Sequence, residues 1–73
     1  MRENHTLADR LRARSDQLGL APAHVAEMAG VNRSFVYDIL RGRSSRPGID
    51  RLADIARVLK VDRDWLIHGI GEV

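Results

Sequence analysis

Apolar residues recur along this chain at intervals of three and four, the spacing that places side chains on one face of an α-helix. The clearest stripe lies between residues 49 and 59, where Leu52, Ile55, Ala56 and Leu59 stand at i, i+3, i+4 and i+7. No segment shows the alternation of polar and apolar residues that is typical of a half-buried β-strand. The pattern therefore predicts an all-α protein.

Helix start and stop signals divide the chain into five predicted helices. Thr6 is the predicted N-cap of the first, and Gly19, Gly30 and Gly42 follow the first three helices as C-terminal stops. Asp62 is the predicted N-cap of a short fifth helix. The predicted segments are about Leu7 to Leu18, Pro22 to Ala29, residues 33 to 41 after the N-cap Asn32, Ile49 to Leu59, and Asp62 to about His68.

The second and third predicted helices are spaced as a helix-turn-helix. Ala26 is small where two crossing helices would touch, and Gly30 stands at the turn. Val36 and Ile39 form an aliphatic stripe on the inner face of the second helix of the pair. This arrangement leaves the outer face of that helix free to enter a major groove, so the motif predicts DNA binding.

Size and composition limit the alternatives. A chain of 73 residues makes one small domain, with a predicted core over about residues 6 to 68. It contains no Cys, so helix packing must supply the stability that disulfides or thiolate metal sites supply elsewhere. No apolar run approaches a membrane span and the N-terminus lacks a signal-peptide segment, so a cytoplasmic location is expected. The tail from Gly69 to Val73 is expected to fray, and it is either a natural end or the point where a longer regulator continues.

Charge is informative through its distribution, because a net charge of +2 does not by itself argue for nucleic acid. Eleven of the twelve basic residues are Arg, whose planar guanidinium suits two-pronged contacts with phosphate or guanine. The segment RGRSSR at 41–46 carries three Arg and no acidic residue. Such a concentration favours phosphate contacts over an ordinary solvated loop.

Taken in order along the chain, these features resemble the lambda-repressor-like fold, the XRE family of phage and bacterial regulators. The similarity runs from about residue 6 to residue 70 and includes the segments LRARSDQLGL, LRGRSSRPGIDRLADIARVLKV and DWLIHGIG. The resemblance implies a compact five-helix DNA-binding domain that is not an enzyme. It also implies a sequence-specific transcriptional regulator, expected to act as a repressor by occupying its operator.

Two departures from the family pattern affect expected DNA contacts. Ala21 and Pro22 replace the polar residue and the phosphate-binding Gln that usually open the second helix. Helix-end amides, aided by His24, would have to take over that contact. Gly48 stands where some phage repressors place a minor-groove Arg, which removes that side chain from the expected interface.

A third departure concerns an ion pair. Ser15 and Leu40 stand where many members of the family pair an Arg with a Glu. Losing both partners together is physically consistent, since a lone buried charge costs about 3–5 kcal/mol whereas neutral replacement of a whole pair can be without cost. We therefore expect Ser15 and Leu40 to be neighbours between the first helix and the end of the third.

The resemblance implies four base-reading residues on the outer side of the third helix: Arg33, Ser34, Tyr37 and Asp38. Arg33 matches the two acceptors of guanine, and the helix dipole gives a cation no stabilising role at that position. Ser34 either donates to a base or phosphate or is simply a small exposed residue. Tyr37 either reaches a phosphate or thymine methyl or packs partly into the core. Asp38 either accepts from a cytosine amine or orients Arg41 or Arg33 by ion pairing, and we favour the second interpretation.

Phosphate contacts are implied for the end of the third helix and the loop after it. The residues concerned are Arg41, Arg43, Ser44, Ser45 and Arg46. Phe35 is interpreted either as a backbone or partner contact or as packing against the end of the second helix. Arg10, Arg12 and Arg14 are interleaved with acidic residues and are interpreted as a solvated face of the first helix.

A single domain offers only a small surface for reading bases, whereas specific protein–DNA interfaces bury about 1,000–2,500 Å² of protein. A second copy of the domain is expected to supply the rest. A homodimer on a pseudo-palindromic duplex is therefore predicted. The predicted dimer surface lies after Lys60 and comprises Trp65, Leu66, Ile67 and Ile70. Trp65 is also the simplest choice for the core residue that docks the fifth helix.

The fold alone leaves a second class of function open. A domain of this kind can serve mainly as a protein-interaction module, such as an antitoxin that holds a toxin, or can precede a separate effector domain. His5, His24 and His68 share no metal-ligand spacing, so neither a metal nor a cofactor is expected. A chain this short also offers no pocket to organise a catalytic triad.

Overall fold

The computed structural model describes residues 6–42 and 48–70, and these form five α-helices without a strand. The helices are α1 (Leu7–Leu18), α2 (Pro22–Ala29), α3 (Arg33–Leu40), α4 (Ile49–Leu59) and α5 (Arg63–His68). This confirms the predicted all-α, five-helix architecture. The predicted phosphate contacts Arg43, Ser44, Ser45 and Arg46 lie outside the described residues, as does the tail from Gly71 to Val73. None of the described helices is long and apolar enough to span a membrane.

Most of the predicted helix boundaries are confirmed, because the local signals work as expected. The Thr6 hydroxyl accepts from the amide of Asp9 and caps α1. Gly19 and Gly30 end α1 and α2 in the left-handed conformation, with φ of 70° and 73°. Asn32 caps α3 through its side chain. Capping of this kind contributes about 1 kcal/mol per helix.

One helix boundary and two details of the helix ends differ from the prediction. Helix α3 ends at Leu40, one residue early, and Arg41 is its C-cap. Asp62 is the N-cap residue of α5 as predicted, but its side chain makes no capping hydrogen bond. Lys60 ends α4 at φ 59°, a left-handed conformation that is strained for a residue with a side chain and that sequence reasoning did not anticipate.

The core lies where the helices converge, with α2 packed between α3 and α4, and α5 packed on α4 and α1. Every helix contributes to it, and the buried apolar residues are Leu11, Val25, Ala26, Val36, Ile39, Leu52, Ile55, Ala56, Leu59, Trp65 and Leu66. The predicted stripes on α3 and α4 are thus confirmed. Because the inner face of α3 packs against α2, the outer face of α3 remains available for other contacts.

Part of the predicted dimer surface is wrong. Trp65 and Leu66 are 8% and 0% exposed, because the short α5 turns both large side chains inward onto α1 and α4. The alternative interpretation of Trp65 as a docking residue is therefore confirmed. Of the four residues proposed for the surface, Ile67 is half-buried and Ile70 remains 63% exposed.

Two arginines of α1 are structural rather than solvated. Arg10 is only 5% exposed, and its Nε and Nη2 donate to the carbonyls of Leu66 and Ile67, each at 2.9 Å. Arg14 donates from Nε to the carbonyl of Leu59 at 2.9 Å. Burial lowers the pKa of Arg10, an effect that the nearby Asp9 opposes. These bonds satisfy carbonyls at the ends of α5 and α4, which have no partner within their own helices.

The approach of Arg10 also explains a glycine. Gly69 ends α5 at φ 74°, and a Cβ added there would lie 3.0 Å from Arg10 Nη1. The backbone conformation favours glycine here, and a side chain would also crowd the Arg10 guanidinium, which would have to shift by a few tenths of an ångström. Of the three arginines predicted to be solvated, Arg12 alone is exposed.

Candidate nucleic-acid interface

The candidate interface is the outer face of α3. Val36 and Ile39 are 0% and 2% exposed and fix the helix to the core. On the remaining circumference, Arg33, Ser34 and Arg41 are exposed, whereas Tyr37 and Asp38 are half-buried. The four predicted base-reading residues thus share α3, and the two nearest its N-terminus are exposed.

The N-terminus of α3 is held by Asn32. Its side-chain oxygen accepts from the Ser34 amide at 2.9 Å and from the Ser34 hydroxyl at 2.8 Å. The hydroxyl proton of Ser34 is therefore already engaged, and what Ser34 presents outward is an acceptor oxygen. An acceptor oxygen can accept from the amine of adenine or cytosine, but a phosphate offers it no donor. Of the two predicted contacts of Ser34, with a base or with a phosphate, only the contact with a base therefore remains.

The predicted orienting role of Asp38 is wrong. Within the described residues, Asp38 forms an ion pair with neither Arg33 nor Arg41. Arg33 is five residues away, a separation at which helical side chains do not face each other. Arg41 lies instead over the ring of Tyr37, with its guanidinium carbon 6.0 Å from the ring centroid. Asp38 keeps its acceptor oxygens for another partner.

A second arginine is stacked on the opposite flank of α3. The guanidinium carbon of Arg51, in the first turn of α4, lies 5.4 Å from the centroid of the Phe35 ring. Phe35 is half-buried and packs against the core, which agrees with the interpretation of this residue as a packing residue. Because Phe35 and Tyr37 are about 200° apart around the helix axis, the two stacked arginines lie on opposite sides of α3. Sequence reasoning missed Arg51, since only the fold brings it to Phe35.

The N-terminus of α2 departs from the family pattern as expected. No side chain caps it, and Pro22 at its first position has no amide proton. His24 is exposed, and its Nδ1 lies 3.5 Å from a carboxylate oxygen of Glu27. The predicted help of His24 toward a phosphate therefore has to compete with an acidic neighbour.

Ser15 and Leu40 line the same cleft, of about 290 Å³, between α1 and α3. They are neighbours, as the missing ion pair predicts. Ser15 is 5% exposed and Leu40 is half-buried. Within residues 6–42 and 48–70, no group of three His, Asp or Glu side chains is placed to hold a metal ion.

Comparison with known proteins gives the family. A family model described as a helix-turn-helix domain matches residues 6–66. The matched segment includes all of α1 to α4, the motif formed by α2 and α3, and most of α5.

Solved structures with the same fold include DNA-bound proteins. SinR, a Bacillus subtilis protein, solved in complex with DNA, has 28% sequence identity and a TM-score of 0.79, over 84% of this chain and 97% of that chain. In the SinR–SinI complex the identity is 27% and the TM-score 0.81, over 86% of this chain but only 61% of the matched chain. The P22 c2 repressor, solved with a synthetic operator, shares the fold at 24% identity and a TM-score of 0.79, over 90% of this chain and 98% of that one.

The family match and the fold agree with the outward face of α3 described above. Members of this family are DNA-binding regulators and not enzymes. The chain belongs to the helix-turn-helix domain family, in the lambda-repressor-like XRE group.

Proposed function

We propose that this domain binds duplex DNA sequence-specifically and represses transcription by occupying an operator, with α3 in the major groove. The observation that carries the proposal is the division of α3 into a buried apolar face and an accessible polar one. An α-helix held in this way fits the major groove, where each base pair presents a distinct pattern of donors and acceptors. SinR and the P22 c2 repressor, which have been solved with DNA, share the fold.

Backbone contacts come from the arginines on the two flanks of α3. The contacts of Arg41 with the Tyr37 ring and of Arg51 with the Phe35 ring limit the conformations of both guanidiniums without using their N–H groups in hydrogen bonds. Two cations on opposite sides of a helix in the groove suit the two phosphate strands that border it. Further phosphate contacts are assigned to residues that follow Arg41 in the sequence, namely Arg43, Ser44, Ser45 and Arg46.

Base reading is assigned mainly to the N-terminal turn of α3. Arg33 is exposed and has no partner among the described residues, so its full fork is available to guanine O6 and N7. Ser34 contributes an acceptor beside it. We assign to Asp38, which forms no ion pair among the described residues, the role of accepting from a cytosine amine, and to Tyr37 a contact with the backbone or a thymine methyl.

Two copies bind a pseudo-palindromic operator. One α3 gives a small reading surface, and a two-fold dimer doubles both the base contacts and the phosphate contacts. The dimer surface that remains after the burial of Trp65 and Leu66 is built around Ile70, with the half-buried Ile67 beside it.

Selection of bound sequences from a random duplex pool tests the proposal. The expected result is an enriched two-fold symmetric sequence whose affinity exceeds that of random duplex by at least about 10³. A pool that shows no enrichment would contradict sequence-specific binding.

A second candidate function is a protein-interaction module, favoured by the similarity to SinR as found in a complex with SinI. The dependence of binding on salt separates the two. DNA occupation loses affinity linearly on a log–log plot with a slope of about −0.9 per phosphate neutralised, whereas a module that binds only protein shows no such binding to duplex.

A further inference from the structure

The cleft between α1, the start of α2 and the end of α3 adjoins the outer face of α3, with which it shares Tyr37 and Arg41. It has a volume of about 290 Å³. An engineered apolar cavity of about 150 Å³ is sufficient to bind benzene. The cleft therefore has room for a six-membered ring together with a small polar group.

Its walls are mainly apolar. Leu20, Pro22 and Leu40 line it, and all three are half-buried, so they offer carbon surface that is still accessible from the cleft. Leu20 and Leu40 also pack against the hydrophobic core, which fixes their positions. A wall of this type binds a compact apolar body and excludes a highly hydrated one.

One buried polar group lies in that wall. Ser15 is 5% exposed, lines the cleft, and makes no side-chain hydrogen bond to any described residue. Buried polar atoms are hydrogen-bonded in the large majority of cases, so a buried hydroxyl without a protein partner is unusual. A ligand that enters the cleft can supply the missing acceptor.

The charges at the cleft favour an anion. Arg12 and Arg41 line it together with a single carboxylate, that of Asp16. Among the described residues neither guanidinium forms an ion pair, and Arg41 is held over the Tyr37 ring, which is itself part of the lining. The cleft therefore carries two cations against one anion, a balance that a monoanion neutralises.

We propose that the cleft binds a small monocarboxylic acid with a compact apolar body. The carboxylate accepts from the Ser15 hydroxyl and is attracted by Arg12 and Arg41, and the body packs on Leu20 and Leu40. One consequence for DNA binding rests on the proposed function. Arg41 serves both the phosphate backbone and the ligand, so occupancy of the cleft lowers the affinity for DNA.

The direct test is an NMR titration of the DNA-free protein with benzoate, following the methyl groups of all Leu, Ile and Val residues. Saturable shifts centred on Leu20 and Leu40 are expected. Benzyl alcohol, which keeps the ring without the charge, should bind at least about tenfold more weakly, because hydrogen bonds to charged groups are the stronger ones. Absence of saturable shifts at these two leucines, or equal affinity for the alcohol, would overturn the proposal.

Substitutions locate the site. Ser15→Ala and Arg12→Gln should each raise the benzoate Kd by about fivefold or more, whereas Arg63→Gln, on the exposed side of α5, should leave it unchanged. Leu40→Phe should abolish binding by filling the cleft, with its melting curve confirming that it folds. Equal effects of Arg12→Gln and Arg63→Gln would show a non-specific charge effect and contradict the assignment.

The coupling to DNA is measured separately. Saturating benzoate should weaken the binding of the selected duplex by about fivefold in the wild-type chain and not in Leu40→Phe. Binding in the cleft without that loss overturns the coupling alone. A protein that binds benzoate at Leu20 and Leu40 but no duplex would contradict the proposed function and leave the cleft assignment intact.

Discussion

The arginines of this domain divide into two groups with different surroundings. On α1, Arg10 and Arg14 donate to backbone carbonyls at the ends of α5 and α4. Around α3, Arg33 is exposed without a partner among the described residues, and Arg41 and Arg51 each lie over an aromatic ring. The same side chain therefore acts as an internal connector in one region and presents free donors in the other.

The difference lies in where the five N–H donors of each guanidinium are satisfied. Donors bonded to carbonyls inside the fold contribute to the free energy of unfolding and are unavailable to a ligand. Stacking on an aromatic ring positions a guanidinium without using its N–H groups, which remain available to phosphate. Substitutions in the first group should change stability, and substitutions in the second should change DNA binding.

The largest expected effect is that of Arg10→Ala on stability. The substitution leaves the carbonyls of Leu66 and Ile67 without their donors and removes packing beside Gly69. It should lower the free energy of unfolding by about 2–4 kcal/mol, measured by urea denaturation. Arg12→Ala on the exposed side of the same helix is the control, with an expected change within about 0.5 kcal/mol. Equal losses in the two variants would contradict the distinction between them.

A new arginine on α1 that finds no acceptor tests the same distinction between the two groups. Ser15→Arg places a cation at a position that is 5% exposed and close to two other arginines, and should destabilise the fold by a few kcal/mol. Adding Leu40→Glu across the cleft should recover part of that loss, as measured by a double-mutant cycle. Additive effects of the two substitutions would show that no ion pair forms between these positions.

In the second group, Arg33→Ala should change specificity. Loss of its fork should cost about 1–3 kcal/mol on the best duplex and relax the preference at one base pair, while binding to random duplex stays nearly unchanged. Fluorescence anisotropy with matched and single-substituted duplexes measures both quantities. A uniform loss on every sequence would make Arg33 a phosphate contact and pass base reading to Ser34 and Tyr37.

The smallest expected effect concerns the stacking itself. Phe35→Leu keeps an apolar side chain but removes the ring under Arg51, and should weaken DNA binding by about 0.5–1 kcal/mol. In an Arg51→Ala background the same substitution should have no further effect on DNA affinity. Persistence of the full loss in that background would show that Phe35 acts independently of Arg51.

The features that could be predicted from the sequence are those that depend on neighbouring residues in the chain. The helices, the inner face of α3 at Val36 and Ile39, and the caps Thr6 and Asn32 depend on residues close together in the chain, and these were predicted. The proximity of Ser15 and Leu40 was predicted as well, because the family resemblance carried that long-range information.

The failures have a common physical cause. Arg10 meets the carbonyl of Leu66 across 56 positions of the chain, and Arg14 meets that of Leu59 across 45. The helical spacing does separate them from the exposed Arg12, because Arg14 lies at i+3 and i+7 from Leu11 and Leu7 on the apolar stripe of α1, and Arg10 lies at i+3 from Leu7. That spacing indicates burial but does not identify the distant carbonyls that the two arginines bind. The choice between inward and outward directions for Trp65 and Leu66 likewise depends on how the short α5 docks. Long-range packing, rather than residue type, decided each of these cases.

The most direct test of the account is the salt dependence of binding to the selected duplex. Wild-type protein should lose affinity along a straight log–log line, and the double variants Arg41→Ala/Arg51→Ala and Arg43→Ala/Arg46→Ala should each reduce the slope by about one per lost phosphate contact. The stability-matched control is Arg57→Ala, an exposed residue paired with Asp54 on α4, which should leave the slope unchanged. A wild-type slope near zero, or slopes that do not change in either double variant, would contradict DNA binding through the arginines that flank α3.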